Sequence, residues 1–137
     1  MPSPFHYSFL TRDLDEARRF YGGLLGCQEG RSTKTWVDFD FFGNQISVHR
    51  GEPPPTQDLG KVDGISVPMP HFGALLEWAL FHALAARLAE AGVPFIVSPR
   101  VRFAGEPGEQ ATLFLRDPGG NALEFKAFRH PANVFQR

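Results

Sequence analysis

Eight residues in the first half of the chain recur near its end. Phe42-Gly43-Asn44-Gln45-Ile46-Ser47-Val48-His49 lies over Gly119-Gly120-Asn121-Ala122-Leu123-Glu124-Phe125-Lys126. The openings of the two halves match as well: Phe5-His6 lies over Pro70-His71, each followed by an apolar strand and then a helix. A duplicated unit of roughly 55 to 60 residues restricts the fold more than any other feature of this sequence. The order strand, helix, strands, repeated once, predicts an α+β protein of two βαβββ modules. Their curved mixed sheets are expected to enclose a shared cleft. Module one is expected over about 4–51, a connecting loop over 52–69, module two over about 70–128 and a tail over 129–137.

Local signals support that order. Asp13 is placed to cap a helix on which Leu14, Ala17, Phe20, Tyr21 and Leu24 recur at helical spacing, with Glu16 in its first turn and Gly26 at its end. Thr35 to Phe41 alternates polar and apolar residues, which predicts a strand by its period of two. Phe42-Gly43-Asn44 then turns the chain into a returning strand that ends at His49. Gly51 to Pro70 is rich in Pro, Gly and Asp and reads as loop. Phe72 to Trp78 has strand character. Leu80, Leu84, Leu88 and Ala91 repeat at helical spacing before Gly92-Val93-Pro94 stops that helix. Short strands are expected at Phe95–Val97, Ala111–Arg116 and Asn121–Phe128, the last two joined by a tight turn at Asp117-Pro118-Gly119-Gly120.

A chain of 137 residues fits one domain. Its net charge is -1 with no block of like charge, which argues against a nucleic-acid or anionic-membrane partner. No apolar run approaches the roughly 20 residues that span a bilayer, and the first residues do not read as a secretory signal. The single cysteine, Cys27, excludes an internal disulfide and suits a reducing cytoplasm. Fourteen phenylalanines fit an aromatic-rich core, a cavity lined by rings, or both.

Several pieces in this order carry a family resemblance. They are His6 on the first strand; Asp13-Leu14-Asp15-Glu16-Ala17 leading to Phe20-Tyr21; Leu24-Leu25-Gly26; Pro70-His71-Phe72-Gly73; and Asp117-Pro118-Gly119-Gly120-Asn121 leading into Leu123-Glu124-Phe125. Together they resemble the vicinal oxygen chelate superfamily of glyoxalase I, extradiol dioxygenases and bleomycin and fosfomycin resistance proteins. The likeness runs from Phe5 to Phe128 and is closest to small single-domain extradiol dioxygenases.

The resemblance implies that His6, His71 and Glu124 hold one divalent metal ion, Fe(II) first, with Mn(II), Zn(II) or Ni(II) as alternatives. Two imidazoles and one carboxylate form a facial triad that leaves coordination positions open for a catechol-like small molecule and for dioxygen. A Glu inside the apolar segment Leu123-Glu124-Phe125 supports this, since a buried carboxylate needs a partner. A fourth ligand of the glyoxalase I kind would fall at Ser47, a poor ligand, so a three-ligand site is expected. His49 is the candidate general acid or base. Arg102 is the candidate to hold a substrate carboxylate. Lys126 either pairs with Glu77 or Asp40 or meets an anionic substrate. Asp38 and Asp40 are expected to face solvent, His82 and His130 to lie on the surface, and 105–110 to form a loop near the cleft mouth. The chain has only Tyr7 and Tyr21, so an acid–base Tyr beside the metal is not expected. The leading expectation is a metal-dependent extradiol-type dioxygenase acting as a homodimer. The alternatives are a non-catalytic binding protein of the antibiotic-resistance kind and a metal-dependent lyase or isomerase.

Overall fold

The computed structural model describes residues 3–137. It is mixed α+β, with two four-stranded mixed sheets and a separate two-stranded hairpin. The chain divides into two compact units. The first holds residues up to Pro55 together with Asp117–Asn121; the second holds Thr56–Arg116 and Ala122–Arg137. Among the described residues no helix is long and apolar enough to cross a membrane.

In the first unit, β1 (His6–Thr11), β2 (Gln28–Ser32), β3 (Trp36–Phe41) and β4 (Asn44–Arg50) form a sheet of order β1-β4-β3-β2. Strand β1 runs parallel to β4 and the other pairs are antiparallel. The Asp13 carboxylate accepts from the backbone N–H groups of Asp15 and Glu16 and so starts helix α1 (Leu14–Ala17), as the capping signal predicted. The helix continues as π-helical turns over Arg18–Leu24, and Gly26 leaves it with φ +74°. Phe42 and Gly43 both have positive φ, the backbone that a two-residue hairpin between right-twisted strands requires. The helix lays Phe20 and Tyr21 on the apolar face of this sheet. The Tyr21 ring centroid lies 4.9 to 6.3 Å from those of Phe20, Phe9, Phe39 and Phe41. Much of the chain's phenylalanine is therefore core.

Tyr21 is 0% exposed, so its hydroxyl needs a partner inside the protein. It donates to Asp117 Oδ2 at 2.7 Å. Asp117 also accepts from the backbone and side-chain amides of Asn121, whose Nδ2 reaches the Leu10 carbonyl. Burial raises the Asp117 carboxyl above its usual range, while the hydrogen bonds from Tyr21 and Asn121 pull it back. Because the folded value lies above the unfolded one, Asp117 favours folding most below the unfolded carboxylate range. That contribution is lost as pH rises through the raised folded value. Tyr21→Phe removes a donor to the buried anion and is expected to destabilise by about 1–3 kcal/mol at neutral pH. Urea unfolding should show a smaller loss near pH 4; a loss that does not change with pH would contradict this account.

In the second unit, β7 (Phe72–Leu75), β8 (Phe95–Arg102), β9 (Gln110–Arg116) and β10 (Ala122–Phe128) form a sheet of order β7-β10-β9-β8. It repeats the plan of the first, with β7 parallel to β10. Helix α2 (Trp78–Glu90) packs on β9 and β10, where Leu113, Leu115, Leu123 and Phe125 are fully buried.

Four readings need correction. The expected loop over 52–69 contains a hairpin of β5 (Gln57–Val62) and β6 (Ile65–Met69), whose Val62 and Val67 pack with Val97 and Phe114. Its tip, Asp63-Gly64, has two positive φ angles, again the tight hairpin turn. Strand β2 was not anticipated, because Gln-Glu-Gly-Arg-Ser is exposed at every position and shows no alternation. The strand expected over Phe72–Trp78 stops at Leu75, and Trp78 opens α2. Strand β8 runs on to Arg102 through two irregularities in register, well past Val97.

Candidate metal centre

Two of the three expected ligands meet in the second unit. His71 immediately precedes edge strand β7, and Glu124 stands on β10 opposite Gly73. Strand pairing therefore sets their separation: His71 Nε2 lies 3.3 Å from Glu124 Oε1. Both side chains are mostly covered, at 18% and 15% exposure. The ring of His71 meets Phe114 edge to face, with centroids 4.9 Å apart.

Each ligand is held from behind. His71 Nδ1 lies 2.7 Å from the Pro68 carbonyl oxygen, to which it can only donate. That bond places a proton on Nδ1 and turns Nε2 toward Glu124, leaving Nε2 as the nitrogen able to take an ion. Thr112 Oγ1 donates to Glu124 Oε2 at 2.6 Å, which leaves Oε1 facing His71. Thr112 is only 1% exposed. Sequence reasoning missed it, although it is the single polar residue in Ala111-Thr112-Leu113-Phe114-Leu115. The Glu124 carboxylate raises the His71 pKa above its ordinary value, against burial and the charge of Lys126. An ion at Nε2 competes with that proton, so metal affinity should increase as pH rises through the raised value. Thr112→Val keeps the shape of the side chain and removes the hydroxyl. We expect metal affinity to fall about 10- to 100-fold with the fold intact, read by a fluorescent-chelator competition assay.

Beside the pair lies a recess of about 220 Å³ lined by Phe72, Leu75 and Lys126 as well as His71 and Glu124. Lys126 forms no ion pair among the described residues; its Nζ sits 5.7 Å from the Phe128 ring centroid. Within this unit the expected pairing with Glu77 is therefore not made. Arg102, on the same sheet, donates from Nε to Asp63 Oδ1 at 3.1 Å.

His6 and His49 belong to the first unit. His6 is exposed on edge strand β1, with Nδ1 2.7 Å from Gln45 Oε1 and Nε2 3.2 Å from Ser8 Oγ. Ser47, aligned with Glu124 in the repeat, donates to Asp38. Asp38 is thus half-buried and engaged, whereas Asp40 is exposed as expected. His49 is half-buried beside Trp36, with ring centroids 6.2 Å apart. A larger hollow of about 510 Å³ in this unit is lined by Asp38, Asp40 and Gln45 among others. Asp38 is already taken by Ser47 and Gln45, and Asp40 by the Gly43 N–H. His82 and His130 are exposed, as expected. Among the described residues no three His, Cys, Asp or Glu side chains come together as a ligand set.

The model of the Glyoxalase/Bleomycin resistance protein/Dioxygenase superfamily matches residues 3–125. The chain belongs to this superfamily. A glyoxalase/bleomycin resistance protein/dioxygenase from Alicyclobacillus acidocaldarius is 31% identical, with a TM-score of 0.78 over 97% of this chain and 96% of that one. The fosfomycin resistance protein FosX of Mesorhizobium loti, at 17% identity and TM-score 0.66, covers 98% of both chains. A glyoxalase-family protein of Bacillus anthracis, at 15% identity and TM-score 0.66, covers 94% of this chain and 97% of its own. These last two show a shared fold alone. No curated protein matches the sequence. The superfamily includes enzymes, and its members bind small molecules and commonly form dimers.

Proposed function

We propose that this chain is a metal-dependent enzyme in which His6, His71 and Glu124 hold one divalent ion, Fe(II) before Mn(II), Zn(II) or Ni(II). Its substrate is a small molecule with vicinal oxygens, and its reaction is most like that of an extradiol dioxygenase. One observation carries this reading: His71 Nε2 and Glu124 Oε1 converge within 3.3 Å, each ligand fixed by its own hydrogen bond from behind. An imidazole and a carboxylate so arranged fit a first-row divalent ion. When bound, the ion would supply Lewis acidity and, if iron, redox chemistry.

The protein's own residues do the rest. The Pro68 carbonyl and Thr112 hold the two ligands in place. Phe72 and Leu75 give the recess its apolar walls, and Phe114 backs the His71 ring. His49 is the proposed proton carrier, and Lys126 and Arg102 are the proposed substrate-binding residues. Members of this superfamily commonly form dimers, and we assign His6 to a second copy of the chain in a homodimer. An equimolar mixture of His6→Ala and His71→Ala proteins should then regain one intact metal site per mixed dimer. A mixture that binds no metal would sink this assembly.

The Tyr21 hydroxyl is committed to Asp117, and the Tyr7 ring stacks on Phe9. That observation favours, as a second reading, a metal-dependent lyase or isomerase with His49 as base. Oxygen uptake by the Fe(II)-loaded protein over a catechol panel decides between them. Uptake with ring cleavage supports the dioxygenase; turnover without uptake supports the second reading.

A further inference from the structure

Three cations share one face of the second sheet with Glu124. Register places Arg100 opposite Thr112 and Thr112 opposite Lys126, so Arg100 and Lys126 flank the residue that orients Glu124. Arg102 lies two residues further along β8, opposite Gln110 and so on the same side. With strands about 4.8 Å apart and about 3.4 Å per residue along them, the backbone of Lys126 lies roughly 7 Å, that of Arg100 roughly 12 Å and that of Arg102 roughly 17 Å from Glu124, distances that three long side chains and an extended substrate bridge. Arg100 and Arg102 converge on one carboxylate, Asp63, at 3.8 and 3.1 Å. Asp63 stands at the tip of the β5–β6 hairpin, whose Val62 and Val67 pack with Phe114. Lys126 has no carboxylate partner among the described residues. Counting Glu124 as well as Asp63, this face carries three positive charges against two carboxylates in the metal-free protein, and three against Asp63 alone once an ion occupies Glu124. The carboxylate that holds the two arginines stands on the exposed Asp63-Gly64 turn, beyond the buried Val62 and Val67 that anchor the hairpin.

We propose that Arg100, Arg102 and Lys126 bind an oxyanion of the substrate, a carboxylate or phosphate carried on the molecule that reaches the metal, and that Asp63 is the internal carboxylate it displaces. The proposal rests on the metal-site reading only in assigning that anion to a substrate. It adds a substrate class, anionic vicinal-oxygen compounds, and a latch.

The test is calorimetric titration of the metal-free full-length protein with inorganic phosphate. Asp63→Asn removes the competing charge but suits the tip, since Asn tolerates the positive φ there. It should tighten phosphate binding roughly tenfold, whereas Lys126→Gln and Arg102→Gln should each weaken it roughly tenfold. Asp58→Asn removes the same charge from the exposed part of β5 and should change binding little. Equal effects of the two Asp variants, weaker binding by Asp63→Asn, or no phosphate binding by any protein would overturn the proposal. A metal site that fails while Asp63→Asn still tightens binding would sink the enzyme reading and leave the strip standing. Metal binding without an Asp63→Asn effect would do the reverse.

Discussion

Glu124→Gln should lose at least about a hundredfold in divalent-metal affinity while keeping the parent's fold and thermal midpoint within a few degrees. Gln preserves the shape of the side chain, and its amide oxygen still accepts from Thr112. It removes the one anionic donor in the recess. Loss of a group that only orients a ligand already lowers affinity 10- to 100-fold, so loss of the ligand's charge should exceed that. The same change removes the main cause of the raised His71 pKa, which should return toward the ordinary histidine range in the metal-free protein. Metal titration followed by NMR of the His71 ring reads both effects. Unchanged affinity in Glu124→Gln would show that the ion, if bound, lies elsewhere.

Gly73→Ala should destabilise the protein more than any of the other substitutions. A Cβ on Gly73 would lie 1.5 Å from the backbone oxygen of Glu124 and 2.6 Å from its carbonyl carbon. Backbone atoms cannot swing aside as a side-chain tip can, so β7 must part from β10. The equivalent pair in the first sheet, Ser8 opposite Ser47, carries side chains on both strands. The second sheet has thus brought its strands into a closer approach where the ligands stand. We expect a loss above about 4 kcal/mol, beyond the ordinary range for a point substitution. At this size that corresponds to a thermal midpoint lower by roughly 10–15 °C. Metal binding should vanish too, because His71 is positioned by the start of β7. Calorimetry alongside metal titration checks both; a Gly73→Ala protein with the parent's midpoint would contradict the packing described.

Legibility in the sequence followed burial. The repeated segments Phe42–His49 and Gly119–Lys126 cover most of β4 and β10, which hold the same place in their sheets. Strands β3 and β4 alternate because one face packs on Phe20 and Tyr21. The Asp13 cap showed because a short acidic side chain before an amphipathic run has one clear use. Strand β2 did not show, because an edge strand exposed on both faces leaves no hydrophobic period. The β5–β6 hairpin was masked by the prolines before it, although Asp63-Gly64 is itself a hairpin signal. At the site, the meeting of His71 with Glu124 was implied by the family resemblance, while the repeat aligned them with His6 and Ser47. Its supports were less legible. Pro68 acts through its carbonyl, which no side chain announces. Thr112 stood out only as a lone hydroxyl among apolar neighbours, and the Asp63 contact to Arg102 spans 39 residues.

Every proposal about chemistry depends on an ion sitting against His71 and Glu124. Elemental analysis of protein purified without oxygen or chelator tests this most directly. The account predicts close to one divalent first-row ion per chain, falling to background in His71→Ala. A parent protein that carries none and takes up none on titration, or a His71→Ala protein that keeps the full complement, would contradict it.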